Sequence, residues 1–240
     1  MDESFQIVKL FGIPFNVSNI ISGTLVALVF LALVFWFSRD LKLKPTGRQN
    51  MLEWLIDFTN GIIKGVLPDE EGKKYRLFAF VLFAFIFIAN QAGLIFQFDI
   101  AKHGQDFNFF RSPTASATTT LTLALMVLVL SHAAGVQKFG FKGYVKNTYL
   151  KPFFFLFPIN LLEQFTNFMT LALRLFGNIY AGEVLLEVIG GLVKAGPVGF
   201  VSSSPLEMIW QAFSVFIGAI QAYVFVTLTM VYISQKVEEE

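Results

Sequence analysis

LALRLFGNIYAGEVLLE, residues 171–187, decides how the second half of this chain crosses a membrane. It lies within an apolar pattern running from Phe153 to about Val193, about twice the roughly 20 residues that a perpendicular crossing needs. Such a run is either a helical hairpin with a concealed turn or one long, steeply tilted helix. No Pro and no Asn-Gly pair marks a reversal between Pro158 and Pro197, and Gly177 and Gly182 are isolated. The pattern therefore predicts a single long tilted helix, with Arg174 near its middle.

The rest of the chain agrees with a membrane setting. Its 240 residues are 55% hydrophobic and 15% charged, with a mean hydropathy of +0.64. A soluble domain would have difficulty keeping that much apolar surface out of water. Further spans are expected at residues 20–37, 77–98, 115–134 and 206–233. Between the first two, Met51, Leu52, Trp54, Leu55, Phe58, Ile62 and Ile63 recur at helical spacing around Glu53, Asp57, Asn60 and Lys64. That alternation predicts an interfacial amphipathic helix over about 50–66. The expected fold is all-α and polytopic, with about five transmembrane helices in a single integral membrane domain, residues 1–240. Residues 99–113 read as a polar loop, 135–152 as a basic connector and 194–205 as another loop.

Charge placement restricts topology and function. The opening MDESFQIVKLFGIPFNVSN lacks the basic start, apolar core and small-residue cleavage site of a removable signal, so the first span is expected to direct insertion. With the N-terminus outside, the inner face collects 13 of the 18 Lys and Arg residues and the outer face 4, leaving Arg174 between them. The C-terminus is then inside. The basic residues form short clusters instead of a continuous stripe, which speaks against nucleic acid as a partner. No Cys is present, so disulfides and thiolate metal sites are excluded. His103 and His132 have no His or Cys at ligand spacing, and no Gly-rich phosphate loop follows a strand, so no cofactor or metal is expected.

Arg174 is a guanidinium that keeps its charge, at a depth where such a group costs from about 3 to more than 10 kcal/mol. Three and four residues away stand Leu171, Thr170, Gly177 and Asn178, none of them acidic. The span at 77–98 has Asn90 and Gln91 but no acid, and the last span has only Glu207, near its outer end. Either a carboxylate from another subunit meets this cation or Arg174 has a purely structural use. Glu163, eleven residues earlier, falls on nearly the same helix face roughly 16 Å away; Glu183, nine later, falls on the opposite face. Water paths reaching these two acids would approach the middle from different sides, as two offset half-channels separated by a fixed positive charge. On the last span Gln211, Ser214, Gly218 and Gln221 form one polar stripe, suited to helix packing or to lining such a path. Gln221 is the member best placed to hold Arg174.

Four stretches carry a family resemblance: LRLFGNIYAGE (173–183), PINLLEQ (158–164), QAYVFVTLTMVYIS (221–234) and SPTAS (112–116). With them the chain, from about residue 75 onward, resembles subunit a of the rotary F-type ATP synthases, the stator subunit that conducts ions beside the c-ring. The resemblance places the family's essential arginine on Arg174, its neighbouring asparagine on Asn178, the outer-channel acid on Glu183, the inner-side glutamate on Glu163 and the last-helix glutamine on Gln221. Asn90 falls on the asparagine of the second span. Three positions depart: Ser214 stands where some members have His, Gly93 where an acid is frequent, and Ser116 where an acid follows PTA. The resemblance implies a non-catalytic, proton-translocating subunit of a bacterial plasma membrane, with an organelle inner or thylakoid membrane as the alternative. Its implied partners are the c-subunit ring, whose carboxylates would meet Arg174, the b-subunit peripheral stalk and the remaining synthase subunits. A carrier using Arg174 for an anionic substrate is the competing reading, opposed by the lack of any repeat between the halves. A structural assembly subunit without conduction is the third.

Overall fold

The computed structural model describes residues 7–10, 13–39, 42–44, 47–95, 98–102, 105–110, 112–150, 155, 157–192 and 197–238. Its elements are a hairpin of β1 (Ile7–Leu10) and β2 (Ile13–Asn16), then α1 (Val17–Phe37), α2 (Arg48–Lys64), the short α3 (Asp69–Gly72) and α4 (Arg76–Ile95). A second hairpin, β3 (Phe98–Lys102) and β4 (Gln105–Phe110), precedes α5 (Ala117–Val145), α6 (Phe157–Gly191) and α7 (Pro197–Val237). The protein is an all-α polytopic membrane protein with two short hairpins attached.

Four stretches are long and apolar enough to cross a membrane: Val17–Phe37, Asp69–Gly93, Ala117–Tyr149 and Gly199–Val237. The fifth long helix, α6, has 35 residues, about 52 Å of helix, and runs without a reversal as its lack of turn residues predicts. Glu163, Arg174, Glu183 and Glu187 interrupt its apolar run. The part of the expected span at 153–156 lies largely outside the described residues.

Three sequence expectations are corrected. The polar loop at 99–113 contains β3 and β4, paired antiparallel with a register shift between Phe98 and Asp99; the alternation in QDFNFF suits a strand. The connector after residue 134 is helical: α5 continues to Val145 and is followed by a π-helical turn at Lys146–Leu150. Gly140, at φ 70°, ψ 161°, lets the chain turn within this stretch. The expected loop at 194–205 is helical from Pro197 onward. Pro suits a first helical position because its missing N–H has no intrahelical acceptor there. Ser202 donates to the Gly199 carbonyl at 3.1 Å and Ser204 to that of Phe200 at 2.8 Å, so the serines bond back into the helix.

The chain forms two compact units. The first contains residues 1–36, 84–119 and 176–222. In it α1 buries Ser22, Val26 and Phe30 at i, i+4 spacing, while Leu28, Leu31 and Phe35 stay exposed as a lipid-facing side would. Asn19 ties α1 to Ser116 through a 2.8 Å hydrogen bond. A Cβ on Gly93 would lie 2.1 Å from the Ser112 Cβ, so α4 meets the turn before α5 at a distance only glycine permits.

The second unit contains residues 37–83, 120–175 and 223–240. Here α2 buries Thr59, Ile62 and Ile63 and exposes Met51 and Trp54, the two-sided pattern of an interfacial helix. Phe58 packs on Phe83 and Tyr223 at ring separations of 5.4 and 5.9 Å. On α7, Val226, Met230, Ile233 and Val237 repeat at helical spacing and are nearly fully buried. The Ser234 hydroxyl lies 2.7 Å from a Glu238 carboxylate oxygen and 3.2 Å from the Val66 carbonyl, two acceptors that share its one proton where α7 meets the end of α2. The Leu128 carbonyl can only accept, so at 2.9 Å it sets the proton on His132 Nδ1; Nε2 then accepts from the Tyr149 hydroxyl at 3.2 Å. His103 lies outside the described residues.

Gly93→Ala is expected to destabilise the protein by about 1–3 kcal/mol, the usual effect of overpacking. Adding Ser112→Gly should recover part of the loss. Gly61→Ala, where a new Cβ meets nothing within 4 Å, should be neutral or stabilising because Ala favours helix. Thermal unfolding of the three purified variants in detergent measures the differences.

Candidate functional site

The candidate residues are distributed over three helices. In the first unit the organising element is the stretch of α7 from Trp210 to Gln221, about 16 Å of helix. Trp210 Nε1 donates to the Gly182 carbonyl of α6 at 3.2 Å. One turn on, the Ser214 Oγ comes within 3.7 Å of the position a Cβ on Gly182 would take. Glycine facing serine brings the two helices close, as small residues do in membrane proteins.

Two amides of α4 reach the next carbonyls of the same helix. Gln91 Nε2 donates to the Val215 oxygen and Asn90 Nδ2 to that of Gly218, each at 3.0 Å. Asn90 is fully buried, and its Oδ1 accepts from Thr114 Oγ1 at 2.8 Å. Thr114 in turn lies 2.7 Å from Ser112 Oγ, which donates to the Ala89 carbonyl at 2.9 Å. The SPTAS motif is thus the start of a buried hydroxyl and amide chain leading to the backbone of α7. At the end of the stretch, Asn178 Nδ2 donates to Gln221 Oε1 at 2.9 Å. The amide oxygen that sequence reasoning reserved for Arg174 is therefore used by Asn178.

Buried polar atoms lie along this seam. Gln91 Oε1, Ser214 Oγ and Gln221 Nε2 have no hydrogen-bond partner among the described residues. Each would carry a desolvation penalty of about 1–3 kcal/mol if left dry, so these atoms fit a hydrated path. Glu183, on the same part of α6, is 7% exposed.

In the second unit α6 carries Glu163 and Arg174, both exposed. Leu171, Ala172 and Leu175 around Arg174 are at most 1% exposed, whereas Leu173 is 54% exposed. Arg174 consequently lies on an exposed side of α6, which it shares with Thr170, Gly177 and Asn178. Among the described residues no acidic side chain forms an ion pair with it. Glu163 stands in a part of α6 that is exposed on most sides, with Ile159, Leu162 and Phe165 exposed around it. Along α6, then, Arg174 and Glu163 are exposed and Glu183 is buried, the distribution that separations of eleven and nine residues produce at 3.6 residues per turn.

Sequence reasoning passed over Trp210 and noted Gln91 without giving it a role. An aromatic in a membrane helix ordinarily reads as packing, and only the Gly182 contact separates Trp210 from its neighbours. Among the described residues no group of three or more His, Cys, Asp or Glu could hold a metal ion.

The family model described as ATP synthase A chain matches residues 20–234. The chain is 55% identical over 233 residues to an ATP synthase subunit a of Limosilactobacillus fermentum, covering 97% of each chain. It is 52% identical to one of Pediococcus pentosaceus over 99% of both chains, and 48% identical to one of Enterococcus hirae over the full length of both. A polytopic helical chain that carries the LRLFGN element and is matched over nearly its whole length belongs to the ATP synthase A chain family, subunit a of the F-type membrane sector.

Proposed function

We propose that this subunit provides two offset aqueous half-channels that carry protons to and from carboxylates on a c-subunit ring, with Arg174 blocking direct passage between them. The observation that carries this reading is a permanent guanidinium on an exposed side of α6, with no ion pair among the described residues. A charge so placed needs an external anion. A ring presenting one carboxylate after another supplies it in turn.

The chemistry follows from electrostatics. A proton arriving by the outer path, along Glu183, Ser214, Asn90 and the Asn178–Gln221 pair, neutralises a ring carboxylate and lets it enter lipid. When a protonated carboxyl returns to Arg174 from the other side, the cation favours its ionised form, and the proton leaves towards Glu163. The same cation repels a proton attempting to cross between the paths. Proton flow and ring rotation are thereby coupled, while ATP chemistry belongs to other subunits and this chain is not itself catalytic. With Gly93 and Ser116 at family polar positions, the outer path here relies on amides, hydroxyls and water around Glu183.

The charge asymmetry supports an N-terminus outside and a C-terminus in the cytoplasm. The bacterial relatives support a plasma membrane location. The reading also takes residues 1–240 as one integral membrane domain, anchored beside the ring by a b-subunit peripheral stalk.

In the assembled complex, Arg174→Ala is expected to reduce proton-driven ATP synthesis to background while leaving subunit stoichiometry near normal. Synthesis in inverted vesicles, with assembly followed by native electrophoresis, tests this; retained coupling rejects the proposal. Glu183→Gln should slow proton flux several-fold without loosening the ratio of ATP made to protons passed. Unchanged flux in that variant removes Glu183 from the path.

A further inference from the structure

An apolar groove of about 590 Å³ lies wholly within the second unit, on the side of α5 that runs from Thr122 to Gln137. From Thr122 to Gln137 the helix rises about 22 Å, more than the roughly 15 Å of hydrocarbon in one leaflet. Leu125, Met126, Val129 and Leu130 line its middle. Tyr75 and Gln137 line the opposite end from Thr122, and both have cationic neighbours in the chain.

That end is basic in a specific way. Lys74 and Lys138 both reach Glu71, at 3.0 and 3.5 Å, so one carboxylate is shared between two ammonium groups. Arg76, next to Tyr75, is exposed and has no ion pair among the described residues. With Asp69 and Glu70 counted beside Glu71, and Lys73 beside Lys74, Arg76 and Lys138, one positive charge is left over; beside a phenol and an amide, at the mouth of an apolar slot, it matches an anionic headgroup followed by a hydrocarbon chain. A transmembrane helix is a poorer fit: helix contacts in lipid favour small residues, and the middle of this slot is built from Leu, Met and Val.

The geometry points to a phospholipid site: the groove holds one acyl chain of an anionic phospholipid, with its phosphate at Tyr75, Gln137 and the cations Arg76, Lys74 and Lys138. This site is separate from the candidate proton path, and its occupancy is measured without reference to ATP synthesis.

The assembled complex, stripped in detergent and exchanged with phosphatidylglycerol or phosphatidylcholine, provides the test, with retained lipid measured by native mass spectrometry. Phosphatidylglycerol should be retained preferentially. Ala133→Phe, which fills the groove, should remove about one equivalent, and Arg76→Gln and Lys138→Gln should each weaken phosphatidylglycerol retention about fivefold while leaving phosphatidylcholine unchanged. Equal retention of the two lipids, or an unchanged count in Ala133→Phe, overturns the site. The absence of native Cys allows a second measurement that holds even where the filled variant fails to assemble. A photoreactive group attached at Met126→Cys should give a lipid adduct; an adduct with another polypeptide assigns the groove to a transmembrane partner and overturns the proposal.

Discussion

A positive charge that cannot be neutralised by losing its proton, set on an exposed side of a long helix, is the constraint on which the proposed function depends. Arg174 can be neither discharged nor moved to the interface by snorkelling, because it sits in the eighteenth position of a 35-residue helix. Its immediate inward neighbours are closely packed apolar residues. The chain offers it a rigid mount and no acidic partner among the described residues. A fixed cation and a partner that comes and goes are what the proposed rotary coupling requires, and the same charge would destabilise an isolated subunit in lipid.

The seam along α7 shows how polar groups are kept in order at depth. Amides of α4 and α6 reach α7, two of them to carbonyls and one to the Gln221 side chain, while glycines and serines set the spacing. Asn90 illustrates the economy of the arrangement: it donates to α7 and accepts from Thr114, so its amide orientation is fixed from both sides. Residues on the proposed path are in this way also the residues that hold the helices together. Loss of transport on mutating Asn90 must therefore be separated from loss of packing.

Much of the fold was legible in the residues because membrane helices are marked by length and by what interrupts them. The continuity of α6 followed from the absence of any breaker between Pro158 and Pro197, and the interfacial character of α2 from its two-sided pattern. The beginning of α7 was misread because Pro, Gly and Ser ordinarily mark loops. Here Pro197 occupies a position that suits it, and the serines return hydrogen bonds to the helix. At the site, the opposed placement of Glu183 relative to Arg174 and Glu163 was readable from helical geometry alone. The Gly93 contact with Ser112 was not, since it joins segments that sequence spacing cannot relate. It also gives a physical reason for the departure at this position: an acid at 93 would have to occupy space already taken by the turn at Ser112.

Pro205, inside α7, has a mechanical consequence. Lacking an N–H, it cannot bond the carbonyl four residues before it, and its ring crowds that carbonyl, so the helix is softest at this point. The 41-residue helix is therefore a stiff shaft from Leu206 onward, with its elastic compliance concentrated at the tip before Pro205. Load applied to the shaft by a turning neighbour would be relieved in the tip before it strained the amide contacts at Asn90 and Gln91.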